Sequence, residues 1–157
     1  MLVLTGRAAT QDGKPDRAAL QAKGPLLQVS LSVLDPQADI LTSRGEEIPF
    51  VSGLALIDSG ASATCIDDAA AVGARLPAVD TARMASASGS SDVSVYAGKI
   101  TLVQPGGSTG TGAVINAHQA LGVNIREQGI IALIGRDTLS ACILIYNGVE
   151  AQYTLAF

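Results

Sequence analysis

Hydrophobic and polar residues alternate along one stretch of the chain, residues 26–34. Leu27, Val29 and Leu31 occupy every second position there, with glutamine and serine between them. A period of two predicts a strand that buries one face. A second stretch, Phe50–Ile57, is apolar at most positions. It predicts a strand that is buried on both faces.

Shorter apolar stretches predict further strands in the second half of the chain, at residues 99–103, 112–116, 130–134, 142–146 and 152–157. Asn147-Gly148 predicts a tight hairpin turn before the last of them. A run of small polar residues at 85–94 predicts another hairpin. Because short strands dominate, the sequence predicts an all-β domain with one or two short helices.

Few segments predict a helix. Asp67 precedes an alanine-rich stretch that extends to about Val72, which predicts a short helix with Asp67 as its N-terminal cap. The polar stretch between Asp35 and Pro49 predicts an exposed connection. Residues 5–24 are polar and interrupted by glycine and proline. We expect residues 1–24 to be an irregular arm or loop and residues 25–157 to form one domain.

Composition and charge argue against several classes of function. The 157 residues suit one domain. The 10 Lys and Arg residues are outnumbered by 14 Asp and Glu and form no cluster, so we expect no nucleic-acid partner. No apolar run approaches the roughly 20 residues of a membrane span, so we expect no membrane partner. The first residues lack the pattern of a secretion signal, which predicts a cytoplasmic protein.

The residue types that commonly bind metals or phosphates are sparse. Cys65 and Cys142 have no paired metal-ligand spacing, and the sole histidine, His118, lies in a polar stretch. The glycine-rich stretch 106–112 lacks the lysine and the following helix of a phosphate-binding loop. We therefore expect neither a metal nor an organic cofactor.

A carboxylate follows the second predicted strand directly, in Asp58-Ser-Gly-Ala. Burying a carboxylate is costly unless another group pairs with it or uses it. The alternative is a turn aspartate followed by a glycine that supplies a positive φ. A second apolar stretch, residues 130–134, ends in Gly135-Arg-Asp. Two predicted strands thus end in polar turns.

These two motifs, in this order, resemble those of the retropepsin-like aspartic proteases, the single-domain enzymes of the retroviral type. In that family the first motif carries the catalytic aspartate, and the second passes beneath the active-site loop. The resemblance covers about residues 26–157. It implies a single-domain fold built as a closed β-barrel or sandwich, an aspartic endopeptidase activity and a peptide or protein substrate.

The resemblance also implies a role for each matching residue. Asp58 would be the catalytic acid, and the hydroxyl of Ser59 would brace the two active-site loops. Arg136 would need a partner other than Ser62, where the retroviral pattern often has an aspartate, and Asp137 is one choice. The residues implied to support the catalytic loop are Ser59, Gly60, Ala61, Gly135, Arg136 and Asp137. Those implied to form the flap or bind substrate are Ser86, Ala87, Ser88, Gly89, Ser90 and Leu133.

The chain contains one such aspartate motif, whereas this chemistry needs two carboxylates that share a proton. Two copies of the chain are therefore required, each of which contributes Asp58. The main hypothesis is a homodimeric aspartic endopeptidase. The alternatives are a non-catalytic dimeric peptide-binding or adaptor module on the same fold and, more weakly, a small-ligand-binding barrel. The last strand, residues 152–157, is expected in a sheet between subunits, with residues 1–4 as a possible neighbour. The alternative is that it completes the sheet of its own chain.

Overall fold

The computed structural model describes residues 2–86, 89–103 and 112–157. Strands dominate these residues, as the short apolar stretches predict. The strands are β1 (Val3–Arg7), β2 (Leu26–Ser32), β3 (Phe50–Ile57), β4 (Cys65–Asp67), β5 (Ala78–Ser86), β6 (Gly89–Leu102), β7 (Val114–Val123), β8 (Ala132–Ile134), β9 (Ile143–Asn147) and β10 (Gln152–Ala156). The helices are α1 (Arg17–Lys23), α2 (Asp35–Ser43), α3 (Asp68–Gly73) and α4 (Arg136–Leu139).

Seven strands form the larger sheet, in the order β2-β3-β8-β4-β7-β6-β5. Strand β2 also pairs with β6, so six of the seven form a closed cycle of paired neighbours. The alternating pattern of β2 is confirmed, since Leu27, Val29 and Leu31 are buried in the core while Gln28 is exposed. The predicted strand Phe50–Ile57 is present as β3, between β2 and β8. The expectation that it is buried on both faces is wrong, because Ala55 and Ile57 are buried whereas Phe50 is exposed.

The hairpin predicted around residues 85–94 is formed by β5 and β6, which pair as far as Ser86 and Gly89. Strand β6 is much longer than the predicted strand 99–103, because it also supplies one side of this hairpin. The tip residues Ala87 and Ser88 lie outside the described part of the chain. The hairpin therefore extends from the larger sheet as a two-stranded ribbon.

A separate three-stranded sheet has the order β1-β10-β9. The turn predicted at Asn147-Gly148 joins β9 to β10, as expected. Leu155 of β10 faces Leu4 of β1, and both side chains are buried. Because β10 pairs with a strand of its own chain on each side, it completes the sheet of its own subunit, the second of the two arrangements considered above.

Residues 1–24 are not an irregular arm, so that expectation is wrong. They include β1 and α1, and Leu4 and Leu20 are buried in the core. Helix α1 is capped by Asp16, whose Oδ1 accepts a hydrogen bond from the amide of Ala19. Only one residue of α1 is buried, so the helix lacks the apolar periodicity from which helices are predicted.

The exposed connection expected between Asp35 and Pro49 is also wrong in part, because Asp35–Ser43 is helix α2. Pro36 occupies the first turn, where a proline costs no hydrogen bond. The described residues contain four α-helices and not the expected one or two. No helix in the described ranges is both long enough and apolar enough to cross a membrane.

The helix predicted after Asp67 is confirmed as α3, with Asp67 as its cap. Asp67 is only 1% exposed, and its carboxylate accepts hydrogen bonds from three backbone amides. The amide of Ala70 lies in α3, whereas those of Ile125 and Arg126 follow β7. One buried side chain therefore holds the start of α3 against the end of β7.

Replacing Asp67 with alanine should lower the free energy of unfolding by about 3 kcal/mol, because three amides lose a charged acceptor. Urea unfolding followed by circular dichroism measures this change. Asp39→Ala is the control, since Asp39 is exposed on α2. It should change stability by no more than about 0.5 kcal/mol. Equal effects of the two substitutions would contradict the role assigned to Asp67.

Candidate active site

Strands β3 and β8 run parallel and end together, with Ile57 opposite Ile134. The residues that follow, Asp58 and Gly135, therefore lie side by side at one edge of the sheet. The amide of Asp58 donates to the carbonyl of Ile134 at 3.0 Å, which extends the strand pairing by one residue. The two sequence motifs thus meet where their strands end.

Asp58 begins a tight turn. The amide of Ala61 donates to the carbonyl of Asp58 at 3.2 Å, and the amide of Gly60 donates to Asp58 Oδ1 at 2.8 Å. Asp58 is half-buried, whereas Ser59 and Gly60 are exposed. Among the described residues, no hydrogen-bond partner is found for Asp58 Oδ2. One carboxylate oxygen is thus held by the turn, and the other is available for chemistry.

Gly135 lies directly beneath this turn. A Cβ atom at position 135 would lie 2.4 Å from the carbonyl carbon of Ala63, closer than any real side chain is found. The next amide, that of Arg136, donates to the carbonyl of Ala61 at 3.0 Å. Only glycine allows this close approach of two backbones, so the turn and the second motif form one packed unit.

Arg136 also binds the turn through its side chain. Its Nη1 donates to the carbonyl oxygens of Ser59 and Gly60 at 2.9 and 3.0 Å. The expected carboxylate partner is therefore wrong: within the described ranges, the two ion pairs found involve other residues. Asp137 is not the partner of Arg136, and its carboxylate accepts hydrogen bonds from Thr64 instead. The guanidinium satisfies backbone carbonyls instead and fixes the shape of the turn.

Thr64 connects the end of the turn to the second motif. It is 2% exposed, and both its amide and its hydroxyl donate to the carboxylate of Asp137, at 2.9 and 2.7 Å. The Thr64 hydroxyl also accepts a hydrogen bond from the amide of Gly135 at 3.2 Å. The sequence analysis missed Thr64; its one signal is a polar residue just before the buried strand β4.

Cys65 follows Thr64 and is buried. Burial, and to a smaller extent the negative charges of Asp137 and Asp58, raise the pKa of its thiol to about 11. The thiol is therefore protonated at neutral pH. The Cys65 thiol at the start of β4 therefore interacts electrostatically with the carboxylates of Asp58 and Asp137.

The residues assigned to the flap and to substrate binding lie on two different elements. Ser86, Gly89 and Ser90 belong to the β5–β6 hairpin, and Gly89 and Ser90 are exposed. Leu133 lies on β8 and is half-buried, whereas its neighbours Ala132 and Ile134 are buried. The described residues give the Ser59 hydroxyl no hydrogen-bond partner.

No group of three His, Cys, Asp or Glu side chains within residues 2–86, 89–103 and 112–157 is arranged to hold a metal ion. No model of a known protein family matches the chain, and no curated protein matches its sequence.

Replacing Thr64 with valine should lower the free energy of unfolding by about 3 kcal/mol, because a carboxylate oxygen of Asp137 and the amide of Gly135 lose a partner. Thr64→Ser retains the hydroxyl and should cost only about 1 kcal/mol, for the lost methyl group. Urea unfolding of the three proteins provides the comparison. If serine is as destabilising as valine, the hydroxyl contributes nothing to the site.

Alkylation by iodoacetamide tests the environment of Cys65 in a Cys142→Ser background. Raising the pKa from 9.0 to about 11 lowers the thiolate fraction at pH 8 about a hundredfold. Because the thiolate is the reactive form, Cys65 should react at least about a hundredfold more slowly in the folded protein than in urea. Asp58→Asn should shift the rate profile to lower pH, because it removes a nearby negative charge. An unchanged profile would show that the charge of Asp58 does not reach Cys65.

Proposed function

We propose that the protein is a homodimeric aspartic endopeptidase of the retropepsin-like type. The observation that carries this proposal is the packing of the two motifs: the residues directly after the Asp58 turn pack against Gly135, and Arg136 binds two carbonyls of the turn. A turn aspartate without a catalytic role needs no such support from a second strand. Here one carboxylate oxygen is fixed and the other is available.

The chemistry requires two such carboxylates. Two carboxylates about 3 Å apart cannot both be ionised, so the pair holds one proton between them. The ionised member takes a proton from water, which then attacks the peptide carbonyl, and the protonated member donates a hydrogen bond to the carbonyl oxygen. The nitrogen of the cleaved bond takes up a proton as it leaves.

A chain with one Asp-Ser-Gly motif supplies one half of this pair. Two copies related by a two-fold axis would bring one Asp58 from each into a single site. The exposure of Ser59 and Gly60 supports this arrangement, because the turn lies at the surface of the single chain, where a second copy can reach it.

Two features of the fold support the family assignment. The closed cycle of paired strands formed through β2 and β6 is what a closed barrel requires. The β5–β6 hairpin extends from this sheet, as a flap over the site would. Both features follow from strand pairing and are independent of the sequence motifs.

Replacing Asp58 with asparagine should abolish peptide hydrolysis, because one substitution removes both carboxylates of the dimer. The rate of cleavage of a mixed peptide library should fall by at least about a thousandfold, as for loss of a central catalytic group. Asp39→Asn on α2 is the matched control and should retain full activity. If Asp58→Asn retains more than about a tenth of the activity, Asp58 is not catalytic.

Mixing the two proteins tests whether the site is shared. The two proteins are mixed in equal amounts and allowed to exchange subunits. If each site needs two Asp58 residues, the mixture should have about a quarter of the activity of the same total amount of wild-type protein. If each subunit acts independently, it should have about half. Sedimentation of both proteins should show dimers. A dimer that binds library peptides without cleaving any would instead identify the adaptor module.

A further inference from the structure

A cleft of about 380 Å³ lies between the β5–β6 hairpin and the end of the Asp58 turn. Asp80, Val95 and Leu121 are cross-strand neighbours on β5, β6 and β7, so one surface of the sheet contributes most of the lining. The chain after the Asp58 turn and α4 contribute Ala63 and Asp137. The residues that line it are Ala63, Asp80, Ala82, Val95, Gln119, Leu121 and Asp137. Both Ala63 and Asp137 belong to the site, so the cleft adjoins it.

The cleft carries negative charge, because the described residues that line it include two carboxylates and no lysine, arginine or histidine. The two carboxylates differ in availability. Both oxygens of Asp137 already accept hydrogen bonds from Thr64. Asp80 is exposed, and Oδ1 of its carboxylate accepts a bond only from the adjacent amide of Thr81. Asp80 is therefore the carboxylate able to bind a cation that enters the cleft.

The walls of the cleft suit a long, flexible cation. Ala63, Ala82, Val95 and Leu121 are apolar, and lysine and arginine pack an apolar stem against such surfaces while the charged end stays near solvent. A small inorganic cation would gain nothing from apolar walls. We propose that the cleft binds a lysine or arginine side chain of the substrate, with Asp80 as its charge partner. This proposal rests on the proposed function.

The position of that residue in the substrate follows from chain length. Ala63 is five residues from Asp58, and five residues of extended chain span at most about 17 Å. A substrate strand covers that distance in about five residues. In a two-fold dimer each subunit supplies one cleft, so a basic residue should be favoured once on each side of the cleaved bond and within about five residues of it.

Cleavage of a designed peptide series by the full chain tests this proposal. All peptides have the same apolar pair at the cleaved bond. In each peptide one lysine occupies one of the five positions on either side of that bond, and matched peptides have norleucine or glutamate at the same position. At one position on each side, kcat/KM should be about fivefold higher for lysine than for norleucine and at least about tenfold higher than for glutamate, the range of a partly exposed ion pair. Added salt should reduce this preference.

Asp80→Asn should remove the preference for lysine without lowering cleavage of the norleucine peptides, and Asp80→Lys should reverse it in favour of glutamate. Asp92→Asn is the matched control, because Asp92 lies on the same hairpin opposite Arg83 and does not line the cleft. It should preserve the preference. Cleavage without a basic preference, or a preference unchanged in Asp80→Asn, overturns this proposal and leaves the protease proposal standing. If no peptide is cleaved, both are overturned.

Discussion

The parallel pairing of β3 with β8 is the constraint on which the candidate site depends. Parallel neighbours need a long connection between them, and here α3 and the strands β4 to β7 supply it. Because both strands run in one direction, the residues that follow them meet at one edge, where Asp58 bonds to the carbonyl of Ile134. An antiparallel pair would place the two motifs at opposite edges.

Backbone contacts convert this proximity into a defined shape. Gly135 admits the turn at a distance that any side chain would block, and Arg136 then binds two of its carbonyls. Thr64 anchors the far end of the turn on Asp137 through partly buried hydrogen bonds. Polar groups in a low-dielectric interior hold their geometry strongly when all are satisfied. The Asp58 carboxylate is therefore positioned by contacts within its own chain.

The sequence predicts those parts of the fold that rest on local pattern. Strands β2 and β3 and the cap at Asp67 follow from alternation, apolar runs and capping chemistry. Helix α1 and strand β1 do not, because their stability comes from distant contacts: Leu4 packs into a sheet completed by β10, at the other end of the chain. The motif that contains Asp58 was visible in the sequence, whereas the role of Thr64 depends on where its hydroxyl points. A carbonyl partner for Arg136 has no sequence signal.

The three-stranded sheet limits how two copies of the chain could share a site. Both edges of β10 are occupied by strands of its own chain, and Leu155 lies in the core, so this strand is needed for the stability of one subunit. In the proposed dimer, a second copy would therefore not pair with β10, and the exposed turn at Ser59 and Gly60 is part of the proposed site. Arg136 already holds the carbonyls of that turn. Since ordering a flexible loop would oppose association, a turn fixed within each chain lowers the free-energy cost of forming the dimer.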